Sequence, residues 1–369
     1  MTVRVNGKVV TPNGVIWQGC VELADDRITA VAEYPSVRDG HWIVPGFVDM
    51  HTHGGGGHTF TTGDPGQARD AAAFHLRHGT TTLLASLVSS PFELMRDATA
   101  AYRPLVREGV LAGVHFEGPY LSTARCGAQN PEFLRDPSTD ELTELVELGA
   151  GAVRMVTIAP ERDGALDAVR LLTAAGVVVA VGHTDATYEQ TRAAVAAGAS
   201  VGTHLFNGMR PVHHREPGPV VALLGAPNVI CELVADGVHL HDGTLAFATS
   251  TAGPERCALV TDAMAAAGMP DGEYELGGQT VTVADGVARL TRDGAIAGST
   301  LTMDAALRQA VAAGIPMPDA VRMVATTPAR AIGLADRVGA LQVGMRADLV
   351  VLDDDLNVVR VMRAGSWVE

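Results

Sequence analysis

Short apolar runs rich in β-branched residues recur eight times between residues 47 and 261, separated by longer stretches in which apolar positions return every three or four residues. The short runs, at 47–50, 80–86, 110–116, 153–158, 177–181, 200–203, 229–235 and 258–261, have the length and near-continuous apolarity of strands buried on both faces. Helical periodicity marks 67–78, 91–107, 139–148, 165–175, 188–197 and 243–251, with glycine near several of their ends. This alternation predicts an α/β fold, a parallel (β/α)8 TIM-type barrel occupying residues 47–335.

The two ends of the chain have another texture. Residues 1–46 and 336–369 are short alternating runs (RVNGKVV, GCVELADDRITAV, RADLVVLDDDLNVVRVMRAGSWVE) broken by turn residues. They predict a small β-sandwich domain built from both chain ends beside the barrel. A further hairpin is expected at 274–290, where GG and DG turns separate alternating positions, covering or extending the barrel.

Composition narrows the setting. With 369 residues, 47% of them hydrophobic, the chain can bury a large core. No apolar run approaches the ~20 residues that span a bilayer, and the opening MTVRVNGKVVTPNG lacks a basic segment followed by an apolar one. A cytoplasmic protein is the expectation. The net charge of −15, from 42 acidic and 27 basic residues, disfavours nucleic acid or an anionic membrane surface as partner. Any anionic ligand must then be gripped locally. Cys20, Cys126, Cys231 and Cys257 show no CxxC spacing, which speaks against a disulfide framework or a zinc ribbon. Cys231 and Cys257 read as core residues, Cys126 as exposed or close to a site.

Candidate chemistry gathers where the predicted strands end. In PGFVDMHTHGGGGHTF, His51 and His53 stand two residues apart on extended backbone, so both rings project to one side, a geometry suited to holding a metal ion. The glycines at 54–57 are read as letting backbone pass close to metal and substrate. The third strand runs into Glu117, the fifth into His183, the sixth into His204, the seventh into Asp236 and His239, the eighth into Asp262. In a parallel barrel all these positions face one rim, so residues two hundred positions apart would converge.

HxH, HFEGPYL, GHTDA, THLFNGM, REPG, DGVH, VTDAM and GALQVGMRADLVVLD, in that order, resemble the amidohydrolase superfamily and, within it, the N-acetylglucosamine-6-phosphate deacetylases. The resemblance runs the length of the chain and implies hydrolysis of N-acetyl-D-glucosamine 6-phosphate to D-glucosamine 6-phosphate and acetate, in amino-sugar catabolism and cell-wall sugar recycling. It implies Glu117, His183 and His204 as principal metal ligands, with His51 and His53 able to complete a two-metal site bridged by Glu117. Asp262 becomes the catalytic acid/base, and His239 polarises the acetyl carbonyl. Substrate contacts fall at Ala128, Gln129, Asn207, Gly208, Arg215, Asp236, Gly237, Val238, His239, Ile296, Ala297 and Gly298, with Arg215 anchoring the phosphate. Gln129 departs from the pattern, standing where many members have histidine. Many relatives bridge two metals through a carboxylated lysine, but the single lysine here, Lys8, lies outside the barrel. One or two divalent cations per subunit are implied, zinc first, with iron, manganese or cobalt also suited to these donors. A homodimer is implied as well. The competing readings are a barrel hydrolase acting on another amide or aminated substrate, and a catalytically silent barrel.

Overall fold

The computed structural model describes residues 2–35 and 40–369. Eight parallel strands, Phe47–Asp49, Thr80–Leu87, Gly113–Glu117, Val153–Ile158, Val178–Val181, Val201–Gly202, Ile230–Leu233 and Cys257–Leu259, pair in chain order. Almost every residue in them is buried, because side chains alternate between the barrel interior and the helices packed outside. The first and last strands meet through single hydrogen bonds instead of a ladder. Asp262 N–H donates to the His51 carbonyl at 2.9 Å, His53 N–H to the Ala263 carbonyl at 2.7 Å, and Thr261 Oγ1 to Asp49 Oδ2 at 2.6 Å. Three of the candidate site residues thus sit on the seam that closes the sheet.

Helices Pro65–Arg77, Phe92–Arg107, Thr139–Gly149, Ala165–Ala174, Tyr188–Ala197 and Asp242–Ala252 follow the expected periodicity to within a few residues. Four of their starts are fixed by side chains that satisfy otherwise unpaired backbone N–H groups. Asp64 accepts from Gln67 N–H, Ser138 from Glu141 N–H, and Thr187 forms a reciprocal capping box with Gln190. The helix Gly218–Gly225 escaped the sequence reading. Its PVVALLG run is apolar almost all round and lies between two neighbouring helices, so no polar face marks its period.

The two chain ends join in one seven-stranded sheet, ordered Ser366–Trp367, Val358–Arg363, Leu349–Leu352, Trp42–Pro45, Thr2–Thr11, Gly14–Ala24, Arg27–Glu33. Trp42–Pro45 knits the ends together, pairing antiparallel with Leu349–Leu352 and parallel with Thr2–Thr11. Val5, Val9, Val21, Leu23, Ile43, Leu349 and other apolar residues form this domain's own core. Gly272–Leu276, Gln279–Ala284 and Val287–Leu290 make a three-stranded antiparallel sheet. Its Leu276, Val281, Val283 and Leu290 pack on Val88 and Met264, which follow the second and eighth barrel strands, so this sheet covers the carboxyl-terminal rim. No helix among the described residues is long and apolar enough to cross a membrane.

Candidate metal centre

At that rim the strand ends converge. His51, His53 and Asp262 form one group of three possible ligands and Glu117, His183 and His204 another, the ligand atoms of each lying within 4.8 Å of one another. Glu117 spans the two. Its Oε1 is 2.9 Å from His204 Nε2 and 3.1 Å from His183 Nε2, and its Oε2 is 3.3 Å from His53 Nε2. Asp262 Oδ1 lies 3.2 Å from His53 Nε2 and 3.5 Å from His51 Nε2.

What lies behind the imidazoles determines which nitrogen they present. His51 Nδ1 donates to Glu232 Oε2 at 3.0 Å, His53 Nδ1 to the Ser86 carbonyl at 3.1 Å, and His183 Nδ1 to the Arg125 carbonyl at 2.8 Å. In a neutral ring the Nε2 is then bare, and its lone pair faces inward. The result is an arrangement that repels itself: Nε2 of His51 and of His53 stand 3.2 Å apart, and those of His183 and His204 3.1 Å apart, around two carboxylates. A positive charge at the centre is required to hold it. This donor set, with three of its four rings fixed from behind by carbonyl or carboxylate acceptors and His204 Nδ1 left without a partner, fits a divalent cation.

The titration behaviour reports the same demand. Burial disfavours protonating these rings, yet the surrounding carboxylates outweigh it, holding His51 well above its ordinary value and His53 at about 9, and raising His183. Glu117 and Asp262 are buried too, but the facing imidazoles hold both well below the usual carboxylate range. Backbone strain gathers here as well. His183, His204 and Asp262 adopt left-handed conformations, with φ of 45°, 26° and 50°, each costing about 1–3 kcal/mol in a non-glycine residue. Gly208 has φ of 60°, and a Cβ there would stand 2.8 Å from His183 Nδ1, so only glycine lets this loop lie against the ring.

A cavity of about 220 Å³ opens over the centre. His53, Glu117, His183, His204 and Asp262 form its floor; Ala128, Gln129, Asn207, Gly208, His239, Ile296 and Gly298 contribute to its walls. His239 is held by Asp236, whose Oδ2 accepts from Nδ1 at 2.7 Å while Oδ1 accepts from the backbone N–H of Val238 and of His239. Although burial opposes it, that carboxylate raises the His239 pKa, favouring an imidazolium able to donate. Gln129 accepts from Ser89 N–H at 2.7 Å, which orients its amide so that Nε2 donates to Glu117 Oε2 at 2.6 Å.

Other expected residues stand elsewhere. Arg215 is exposed on a surface loop, its Nη1 against His214 Nε2 at 2.7 Å, and does not line the cavity of its own chain. Gly237 and Val238 point outward at the rim, and Ala297 is buried beneath it in the core of the covering sheet. The glycines at 54–57 call for a correction. A Cβ on Gly55 would meet Phe74 and His75 at 2.6 and 2.7 Å, and one on Gly56 would meet Phe74 at 2.9 Å, so this loop passes close to the first helix, not to metal and substrate. Glu232, fully buried, is the functional residue the sequence reading missed; besides His51 it accepts from His204 N–H at 3.1 Å. Its signal was an acidic residue inside the apolar strand NVICELVA.

The sequence profile of the amidohydrolase family matches residues 42–368. The chain belongs to the amidohydrolase family. Among relatives, it is 37% identical to the N-acetylgalactosamine-6-phosphate deacetylase of Escherichia coli O157:H7, over 97% of each chain. It is 35% identical to the N-acetylglucosamine-6-phosphate deacetylase of Lysinibacillus sphaericus, covering 98% of this chain and 96% of that one. In structure it matches a variant N-acetyl-D-glucosamine-6-phosphate deacetylase of Mycobacterium smegmatis, solved in complex with N-acetyl-D-glucosamine-6-phosphate, with a TM-score of 0.96, 48% identity and 99% of each chain covered. An amidohydrolase with these relatives and this rim of histidines and carboxylates is an amide hydrolase that uses a divalent metal.

Proposed function

We propose that this amidohydrolase removes the acetyl group from N-acetyl-D-glucosamine 6-phosphate, releasing acetate and D-glucosamine 6-phosphate, as a step in amino-sugar catabolism and cell-wall sugar recycling. The observation that carries the reading is Asp262, joined with His51 and His53 next to the Glu117, His183 and His204 group, at the floor of a cavity walled by His239, Asn207 and Gln129. Glu117, His183 and His204 would hold one cation, zinc first among the metals these donors suit, and His51 and His53 would offer donors for a second. A cation there supplies Lewis acidity, making water acidic near neutral pH and polarising a carbonyl.

The chain's own groups do the rest. Asp262, kept ionised by His51 and His53, takes a proton from water as its oxygen adds to the acetyl carbon. The same carboxyl then delivers that proton to the sugar nitrogen as the C–N bond breaks. His239, held by Asp236, donates to the carbonyl oxygen as negative charge builds there. Gln129 keeps the Glu117 carboxylate from rotating, and Ala128, Asn207, Gly208, Ile296 and Gly298 seat the sugar.

The protein works as a cytoplasmic homodimer in this reading. Phe206, Met209, Pro211, Val212 and Phe247 line an open apolar patch next to the loop that carries Arg215, with Val212 52% and Phe247 55% exposed. Pairing through that patch would bury it and bring Arg215 of one subunit toward the other, where its planar fork suits phosphate. The 37% identity to an N-acetylgalactosamine-6-phosphate deacetylase supports a second reading, the galacto epimer as substrate. Comparing kcat/KM for both epimers, and for N-acetyl-D-glucosamine without its phosphate, tests both. The gluco phosphate is expected to lead, with the unphosphorylated sugar at least 100-fold poorer, since charged hydrogen bonds to one phosphate contribute about 3 kcal/mol or more. Equal turnover with and without the phosphate would remove the reading.

A further inference from the structure

Four arginines surround a second cavity at the opposite, amino-terminal end of the barrel. Arg154 lies at the start of the fourth barrel strand, Arg337 and Arg346 precede Leu349–Leu352, and Arg363 ends Val358–Arg363. With Thr82 at the start of the second barrel strand and Gly109 before the third, they enclose about 100 Å³. The lining thus comes from both the barrel and the β domain.

The charges there do not balance. Arg346 is neutralised by Asp348, its Nε donating to Oδ2 at 2.6 Å, and its Nη2 donates to Thr82 Oγ1 at 2.9 Å. Arg363 donates to the Gly109 carbonyl. Among the described residues, Arg154, Arg337 and Arg363 have no carboxylate partner, and the buried Nε of Arg154 has no hydrogen-bond partner at all. Burial and the neighbouring charge of Arg346 lower the pKa of Arg363, outweighing the opposite pull of the Asp348 carboxylate. This occurs in a chain with a 42 to 27 excess of acidic over basic residues, where counter-charges are plentiful. The adjoining strand makes room for the arrangement: a Cβ on Gly113 would stand 2.1 Å from Arg154 Cγ, so the stem of Arg154 lies flat on glycine.

We propose that this cavity is a second anion site, distinct from the metal centre, which takes the phosphate group of a small phosphorylated molecule or free inorganic phosphate. One guanidinium fork saturates a carboxylate, whereas forks converging from several sides match the four oxygens of a phosphate dianion. A space of about 100 Å³ equals roughly three waters' share of liquid, enough for the phosphate group, with the rest of a larger molecule left at the mouth. A ligand bound there ties the barrel to the β domain and stabilises the folded chain by mass action.

The test is thermal unfolding of the full-length, metal-loaded protein in inorganic phosphate, glucosamine 6-phosphate or glucose 6-phosphate, each against sodium chloride of equal ionic strength. The same series is run on the Arg154→Gln/Arg337→Gln variant and on Arg337→Gln alone, a change at an exposed position that keeps the comparison available if the double variant does not fold. Wild type is expected to gain Tm beyond the chloride control. The variants should bind the anion at least tenfold more weakly by calorimetric titration, while KM for the acetylated sugar phosphate stays within twofold. A gain with inorganic phosphate that is lost in the variants places the free anion in the site, and a gain confined to the sugar phosphates and lost in the variants makes it a phosphosugar site. No gain above chloride, or a gain undiminished in the variants, would overturn the proposal, the latter assigning all phosphate binding to the metal-centre cavity.

Discussion

Glu232 illustrates how a single buried group sets the chemistry of its neighbours. One of its oxygens holds both His51 Nδ1 and the backbone N–H of His204, so one carboxylate positions a ligand from each half of the centre. Glu232→Gln keeps the shape and removes the charge, and is expected to weaken metal affinity about 10- to 100-fold, read by competition with a chromophoric chelator. His75 offers a contrasting case, a histidine with no part in the chemistry. It is fully buried in the first helix, where Nε2 donates to the Gly54 carbonyl at 2.8 Å and Nδ1 has no partner, so burial pushes its pKa down to about 4. The unfolded chain takes up this proton near the ordinary value of 6.5, the folded one only near 4. The unfolded state therefore binds more protons in between, and stability falls as pH drops from about 6.5 to about 4, by up to about 3 kcal/mol. Urea unfolding of the metal-free protein should show that slope and should show it flattened in His75→Gln. The convergence of the candidate ligands was legible in the sequence because strand ends carry them one after another into the same rim. Glu232 was hidden because it lies within a strand, where its neighbours read only as core.

At the scale of elements, loops rather than strands determine whether the centre forms. The loop after the sixth barrel strand turns Gly208 against the His183 ring, whose Nδ1 is in turn tied to the Arg125 carbonyl. Gly208→Ala puts a methyl where 2.8 Å is available at a φ of 60°. It is expected to cost about 1–3 kcal/mol of stability and to weaken metal binding by tenfold or more, measured by denaturation and by metal content after dialysis. The eight strands and six helices could be read from periodicity because each has one buried face or none exposed. The helix Gly218–Gly225, wedged between other helices, has no such contrast. Gly55 and Gly56 show the other limit. Their need for close approach was readable, but what they approach, Phe74 on the first helix, is a fact of tertiary packing.

For the molecule as a whole, the barrel places its chemistry at one rim and, at the other, a cluster of four arginines of which only Arg346 is paired with a carboxylate, within a chain of net charge −15. Both chain ends were legible as strands of one small domain; the separation of Arg215 from the cavity of its own chain was not, because it depends on where a surface loop comes to rest. The proposed function requires distant ligands to share a cation and Asp262 to handle the proton beside it. The measurement that tests it most directly is acetate release from N-acetyl-D-glucosamine 6-phosphate by wild type and Asp262→Asn, with metal content determined on the same samples. Asp262→Asn is expected to retain metal in the Glu117, His183 and His204 group while kcat falls roughly 100- to 10000-fold. A variant that holds its metal and still turns over within about tenfold of wild type would contradict it.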